Sequence, residues 1–518
     1  MYTRLLLPLV AIIILVSCAN PSVPSPGNQL GSITFSVTGK KEAQPYFEKG
    51  LLLLHSFEYQ DAAEEFHKAI HLDTTFAMAY WGEAMTYNHS LWRYQDLKKA
   101  NEILAELDST AQGRVDKAAT ALEKDFMRGI NILYGSGTKA ERDSNYAVFM
   151  GKLHDQYPGN DEVTAFYSIA LLGSVQVGRD DKVYGLAADM AREVLQRSPN
   201  HPGALHYLIH ACDDPKHASL AVLAADEYAI VAPGAAHALH MPTHIYLALG
   251  MWDKVISSNI AAWGASKARK ERKNLTNDAL GYHGYHWLMY AYLQKGNKAL
   301  AKTLVDTMQT LCNELSSERA REHMISLKST YLAETNDYGS PINDIEVDMS
   351  DLNIVLRAMN EYTDGMKFYQ RNDTKGLDDL ILKFSREISL DKERMTNGGN
   401  AVCSSANSAL PNALDIQQSE IMLLELKAMQ AKLKKNNLDV EKYLKQAVAS
   451  ESTASYSFGP PTVVKPSFEL YGEWLLDMKR PEEALQQFDL SLKAAPGRLL
   501  ALNGKRNAEA MLGDRKKL

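Results

Sequence analysis

From about residue 40 to the C-terminus, apolar residues recur three and four positions apart, the spacing of amphipathic helices. Strand-like alternation is scarce and long loops are few. The pattern therefore predicts an all-α chain. Two stretches depart from it. Residues 394–412 (RMTNGGNAVCSSANSALPN) carry the composition of a loop. Arg4 to Ser17 (RLLLPLVAIIILVS) places an unbroken apolar run behind a short basic start. About a dozen apolar residues are too few for a permanent span, and the arrangement is that of a secretory signal peptide. Asn20 to Ser32 (NPSVPSPGNQLGS) is rich in Pro, Ser and Gly and predicts a flexible tether.

Within the helical region small and large residues alternate on a fixed frame. Gly50, Ala62, Phe66 and Ala69 mark one unit, and Gly472, Ala484, Phe488 and Pro496 keep the same spacing near the C-terminus. Both stretches resemble a tetratricopeptide repeat, a helix–turn–helix unit of 34 residues. Pro158, Pro199 and Pro233 end successive second helices at spacings of 41 and 34, so one unit carries an insertion. The resemblance implies a tetratricopeptide-repeat α-α solenoid with a concave groove, since hairpins bury their apolar stripes only by stacking. The expected organisation is a signal peptide at 1–17, a tether at 18–40, a repeat array at 41–312, degenerate repeats at 313–450, and a last repeat with its cap at 451–518.

Composition narrows the function. The 518 residues are 45% hydrophobic and 23% charged, ordinary for a folded protein. A formal net charge of -7 implies no broad basic surface, which argues against nucleic acid as a partner. Four cysteines exclude a disulfide scaffold and a multi-thiolate zinc site. Leu15-Val16-Ser17-Cys18 resembles the lipobox of bacterial lipoproteins; that resemblance implies cleavage before Cys18, its acylation, and an envelope location. Ala19 follows the cysteine, and resemblance to enterobacterial sorting implies a protein free to reach the outer membrane.

The histidines carry the most informative chemistry. Nine of the fifteen lie between His201 and His286. In the unit beginning at Pro202, the apolar stripe is Leu205, Leu208, Ile209 and Cys212, while His206, His210 and Asp213 share a stripe rotated by about 130°. In the shared repeat frame, His237, His240 and His244 take positions two, five and nine of the next unit. His283, His286 and Tyr290 take the same positions in the one after. In tetratricopeptide arrays those positions line the concave groove, so the resemblance implies seven histidines converging on one patch. His206/His210 and His240/His244 are four residues apart, within chelating reach on one helix face. Neutral imidazoles suit Zn, Cu or Ni, and Asp213 can ligate or orient a ring. The pairs read HYLIH and HMPTH, without the glutamate of H-E-x-x-H, so a zincin-type protease is unsupported. The same rings can instead bind an organic or peptide ligand, or simply pack.

Three weaker features accompany them. Trp81 and His89, with Met85 and Asn88, are candidate ligand contacts in the second unit. Glu83 lies near the packed side of its helix and, if buried, needs a partner such as His89. Glu469 and Glu473 could form a carboxylate pair but read more simply as a solvated acidic face. The blocks HPGALHYLIH (from His201) and HALHMPTHIY (from His237) resemble a group of bacterial tetratricopeptide-repeat lipoproteins with no settled activity. The resulting expectation is a lipid-anchored binding protein whose groove takes a protein or peptide and a transition metal, with binding favoured over catalysis. A metal-dependent enzyme and a glycan-binding lipoprotein similar to the SusD class are the alternatives.

Overall fold

Missing side chains set how closely the helices pack. In a computed structural model describing residues 29–395, 410–456 and 458–515, Gly50 lies on helix Gln44–His55 and Gly82 on helix Ala77–Met85. Both abut the ring of Phe66, on the intervening helix Tyr59–Leu72. A Cβ on Gly50 or Gly82 would approach that ring to 2.9 or 2.3 Å. The far end repeats the device. Gly472 and Gly504 flank Phe488, with hypothetical Cβ approaches of 2.7 and 2.2 Å. A small–large–small sandwich of this kind is how a tetratricopeptide hairpin meets its neighbour, and the chain is an all-α solenoid of such hairpins. Among the described residues the only extended pairing is a two-residue strand pair, Asn88–His89 with Tyr94–Gln95.

The prolines act as the spacing predicts. Helices end at Gln156, Arg197 and Val231, one or two residues before Pro158, Pro199 and Pro233. Side-chain caps fix several starts, including Thr120 and Thr138, each in a reciprocal capping box with a glutamate three residues on. The apolar core forms two bodies that meet along helix Tyr282–Gln294, which contributes residues to both. The core therefore divides within that helix.

Long-range contacts wind the coil back on itself. Arg269 and Lys273, at the end of helix Trp252–Lys273, pair with Asp61 on the second helix of the first hairpin. The indole N–H of Trp252 donates to the Gly497 carbonyl at 3.0 Å. Gly250, at φ +69°, lies against Pro496 and Gly497, where a side chain has no room. Part of the expected tether is fixed as well. Gln29 accepts from the Gly234 amide at 2.8 Å, and the Ser32 and Lys40 amides donate to Asn200 and Asp73 at 3.1 and 2.8 Å. Flexibility read from composition thus fails for residues 29–40, because their backbone groups find partners on the body. The signal peptide, Cys18, Cys403 and most of the 394–412 break lie outside the described residues. No helix among the described residues is long and apolar enough to cross a membrane.

Removing the central ring should open a cavity that neither flanking glycine can fill. Phe66→Ala is expected to lower stability by about 3–5 kcal/mol, read as a drop in the urea midpoint. Leu223→Ala, at an 81% exposed position, should change it by less than about 0.5 kcal/mol.

Candidate metal centre

Three neighbouring first helices carry the rings. Pro202–Ala211 supplies His206 and His210, the pair Ala236–His240 and Pro242–Ala248 supplies His237, His240 and His244, and Tyr282–Gln294 supplies His283. Pro242 has no N–H to continue the ladder, so the middle helix is divided between His240 and His244. The carboxylate of Glu58 accepts the His237 amide at 3.0 Å and pins the start of that helix.

The rings form two groups of three. One imidazole nitrogen each from His206, His210 and His237 lie within 4.8 Å of one another. The same holds for His240, His244 and His283. The groups are adjacent: ring centroids are 5.6 Å apart for His210–His244 and 6.4 Å for His237–His240. His206, His210, His240 and His244 are buried, and His237 and His283 are half-buried. Burial, reinforced by the neighbouring imidazoles, holds His206, His210, His237 and His283 far below the usual histidine range. The same causes push His240 down to about 3. These are neutral rings, the form that binds metals.

Their outer nitrogens are fixed. His206 Nδ1–H donates to the His55 carbonyl at 2.7 Å, and His240 Nδ1–H to Asn259 Oδ1 at 2.8 Å. His244 Nδ1–H donates to Asp213. Each bond leaves the lone pair on Nε2. His210 Nε2–H donates to His206 Nε2 at 3.1 Å, a separation close to the roughly 3.3 Å edge of a tetrahedron with 2.0–2.1 Å metal–nitrogen bonds. His210 Nδ1, His237 Nε2 and His240 Nε2 are buried without a hydrogen-bond partner.

Behind the first group sits a third cluster that the repeat frame does not reveal. Glu162 accepts from His55 Nε2 at 2.8 Å and from His201 Nε2 at 3.1 Å, with all three side chains buried. His201 Nδ1 accepts the Ala204 amide at 3.1 Å and so caps helix Pro202–Ala211. His55 Nδ1 bonds the Tyr207 hydroxyl at 2.9 Å. Every ring nitrogen here has a partner, so the cluster positions the His55 carbonyl that orients His206. Burial drives the Glu162 carboxyl up, but His55 and His201 outweigh it and hold it at about 2.

Two aromatic walls cover the rings. Phe57 adopts φ +55°, a strained conformation for a bulky residue, and sets its ring 4.3 Å from that of His206. Trp287 lies 4.5, 4.9 and 5.1 Å from the rings of His244, His283 and His240. The segment before helix Ser467–Asp477 closes over Trp287 at Gly459, where a Cβ would sit 2.5 Å from the indole.

The other expected site residues lie elsewhere. His286 is drawn to Thr330 Oγ1 at 2.9 Å and joins neither group. Tyr290 is buried and accepts from Arg498 at 2.9 Å, so it serves a structural ion cluster rather than a ligand. Glu469 belongs to that cluster, fully buried against Arg498 and Lys465, so the solvated acidic face is corrected. Trp81 is fully buried edge-on to Phe126 and Phe166, both 5.1 Å away, and is core. His89 stacks on Tyr59 at 3.9 Å and bonds the Thr86 carbonyl at 3.1 Å. Glu83 is met by His67 at 3.4 Å, not by His89.

No family model and no curated protein matches this chain. Solved structures with some similarity include yeast Tom70 (11% identity, 92% of this chain and 90% of that one, TM-score 0.29). Another is the tetratricopeptide domain of P58(IPK) (13%, 92% and 100%, 0.20). A third is the Cut9–Hcn1 assembly of the anaphase-promoting complex (12%, 92% and 78%, 0.30).

Deleting the shared carboxylate should be severe. Glu162→Ala is expected to cost about 3–5 kcal/mol, because two buried imidazole N–H groups lose their acceptor. With the carboxyl held near 2 against an unfolded value of 4.5, the ionised form's contribution is complete above about pH 4.5 and is lost as pH falls toward 2. Urea unfolding at stepped pH should show the difference between parent and variant shrinking across that window.

Proposed function

We propose that this chain is a transition-metal-binding helical-repeat protein of the bacterial cell envelope, its ion held by imidazoles from three consecutive hairpins. The single observation that carries the reading is the set of buried ring nitrogens that converge with several left unmatched. His206 Nε2 accepts from His210 Nε2–H at 3.1 Å, while His210 Nδ1, His237 Nε2 and His240 Nε2 have no hydrogen-bond partner. Leaving a buried acceptor unmatched costs about 1–3 kcal/mol; a bound ion removes that cost for several atoms at once. The outer-nitrogen bonds to a carbonyl, an amide oxygen and a carboxylate are the arrangement that orients metal-bound histidines. Zinc, copper and nickel are the ions such a donor set suits.

The proposed role is binding rather than reaction. The carboxylates around the rings are engaged, Asp213 and Glu162 by imidazole N–H groups and Glu58 by the His237 amide. A protein or peptide partner is placed outside the centre, because Phe57 and Trp287 cover the rings. Anchoring through an acylated Cys18 is part of the proposal and rests on the sequence alone.

Elemental analysis of the lipid-free, tag-free protein tests the reading. At least one equivalent of a transition metal is expected per chain, falling several-fold in His206→Ala with His240→Ala. Trace metal in the parent, unchanged in the double variant, would remove the proposal.

A further inference from the structure

The six ring nitrogens do not surround one point. They divide three and three, each set within 4.8 Å, and the sets come from overlapping helices. His206 and His210 share one helix with His237 beside them, whereas His240 and His244 bracket Pro242 and meet His283. Around one ion with 2.0–2.1 Å bonds, ligand atoms lie about 3.3–3.6 Å apart. The 3.1 Å separation of His206 and His210 is close to that spacing, and the remaining nitrogens of each set lie within 4.8 Å.

Charge then selects the ion. All six rings are uncharged ligands, and no carboxylate belongs to either set. Two carboxylates touch the ligand residues from outside: Asp213 on the outer nitrogen of His244, and Glu58 on the His237 amide. Two divalent ions would place four positive charges beside a wall of Phe57 and Trp287. The cost of burying an ion grows with the square of its charge. Two monovalent ions are therefore far easier to bury. Zinc in a structural site takes four ligands, whereas copper(I) is satisfied by three nitrogens. Among the metals that imidazole suits, copper is the one with an accessible monovalent state.

We infer that the centre is a copper pair, with one copper(I) ion on His206, His210 and His237 and a second on His240, His244 and His283. This deepens the metal-binding reading and rests on it. The two ions would sit in adjacent sets whose closest rings are 5.6 Å apart.

The test is an anaerobic titration of the metal-free, tag-free parent chain with copper(I) against a chromophoric copper(I) chelator, and separately with zinc. Two equivalents of copper are expected in the parent, with zinc bound at least tenfold more weakly. His206→Gln with His210→Gln should retain one equivalent, as should His240→Gln with His283→Gln. One copper in the parent would overturn the pair, as would zinc outcompeting copper. Neither metal binding at all would instead overturn the metal-binding reading beneath it. X-ray absorption on the copper-loaded parent provides a check independent of variant folding. About three imidazole nitrogens per copper are expected, and four or more, or sulfur neighbours, would contradict the assignment.

Discussion

A buried imidazole has two nitrogens and can usually satisfy only the one that faces protein. Here the protein satisfies the outer one. The His55 carbonyl, the Asn259 amide oxygen and the Asp213 carboxylate each accept an Nδ1–H. That choice fixes the tautomer and aims the remaining lone pairs inward, where that of His206 already accepts from His210. Without those three acceptors the other rings could reorient and pair in the same way, and the centre would be ordinary aromatic packing. The proposed chemistry therefore depends on backbone and side-chain groups that never touch an ion.

Those acceptors are placed by the winding of the solenoid. His55 ends the first helix of the first hairpin, 151 residues before the ring it orients. Glu162 holds His55 from a third hairpin, and the same carboxylate fixes His201 at the start of the helix that carries His206 and His210. The ion pairs from Arg269 and Lys273 to Asp61 and the seat of Gly250 on Gly497 keep distant hairpins in register. A repeat array whose units touch only their neighbours would not hold such a centre rigidly. This one closes on itself, with its polar network where the turns meet.

Much of the architecture was legible in the sequence because repeat packing is local. Gly50 with Phe66 and Gly472 with Phe488 lie sixteen residues apart in each case, and the prolines marking unit ends act on their own helices. The histidine register was legible for the same reason, and it selects six of the rings the structure groups. His286 shares the register, yet its helix turns it toward Thr330, a partner 44 residues away. Glu469 read as solvated because its partner Arg498 lies beyond the next helix. Glu162 stands in a first helical turn, where acidic residues are routine; nothing local marks it as the acceptor for two distant histidines. Phe57 carried a signal in retrospect. Gly250 and Gly296 also end first helices at positive φ, so an aromatic residue at such a turn is out of place unless its ring is needed.

The central claim is a statement about where protons sit, and it can be measured before any ion is added. Nitrogen-15 correlation spectra of histidine-labelled, metal-free protein at neutral pH report the tautomer of each ring. The account predicts that His206, His240 and His244 carry the proton on Nδ1 and none on Nε2. Proton-bearing Nε2 in those rings, or imidazolium, would contradict it.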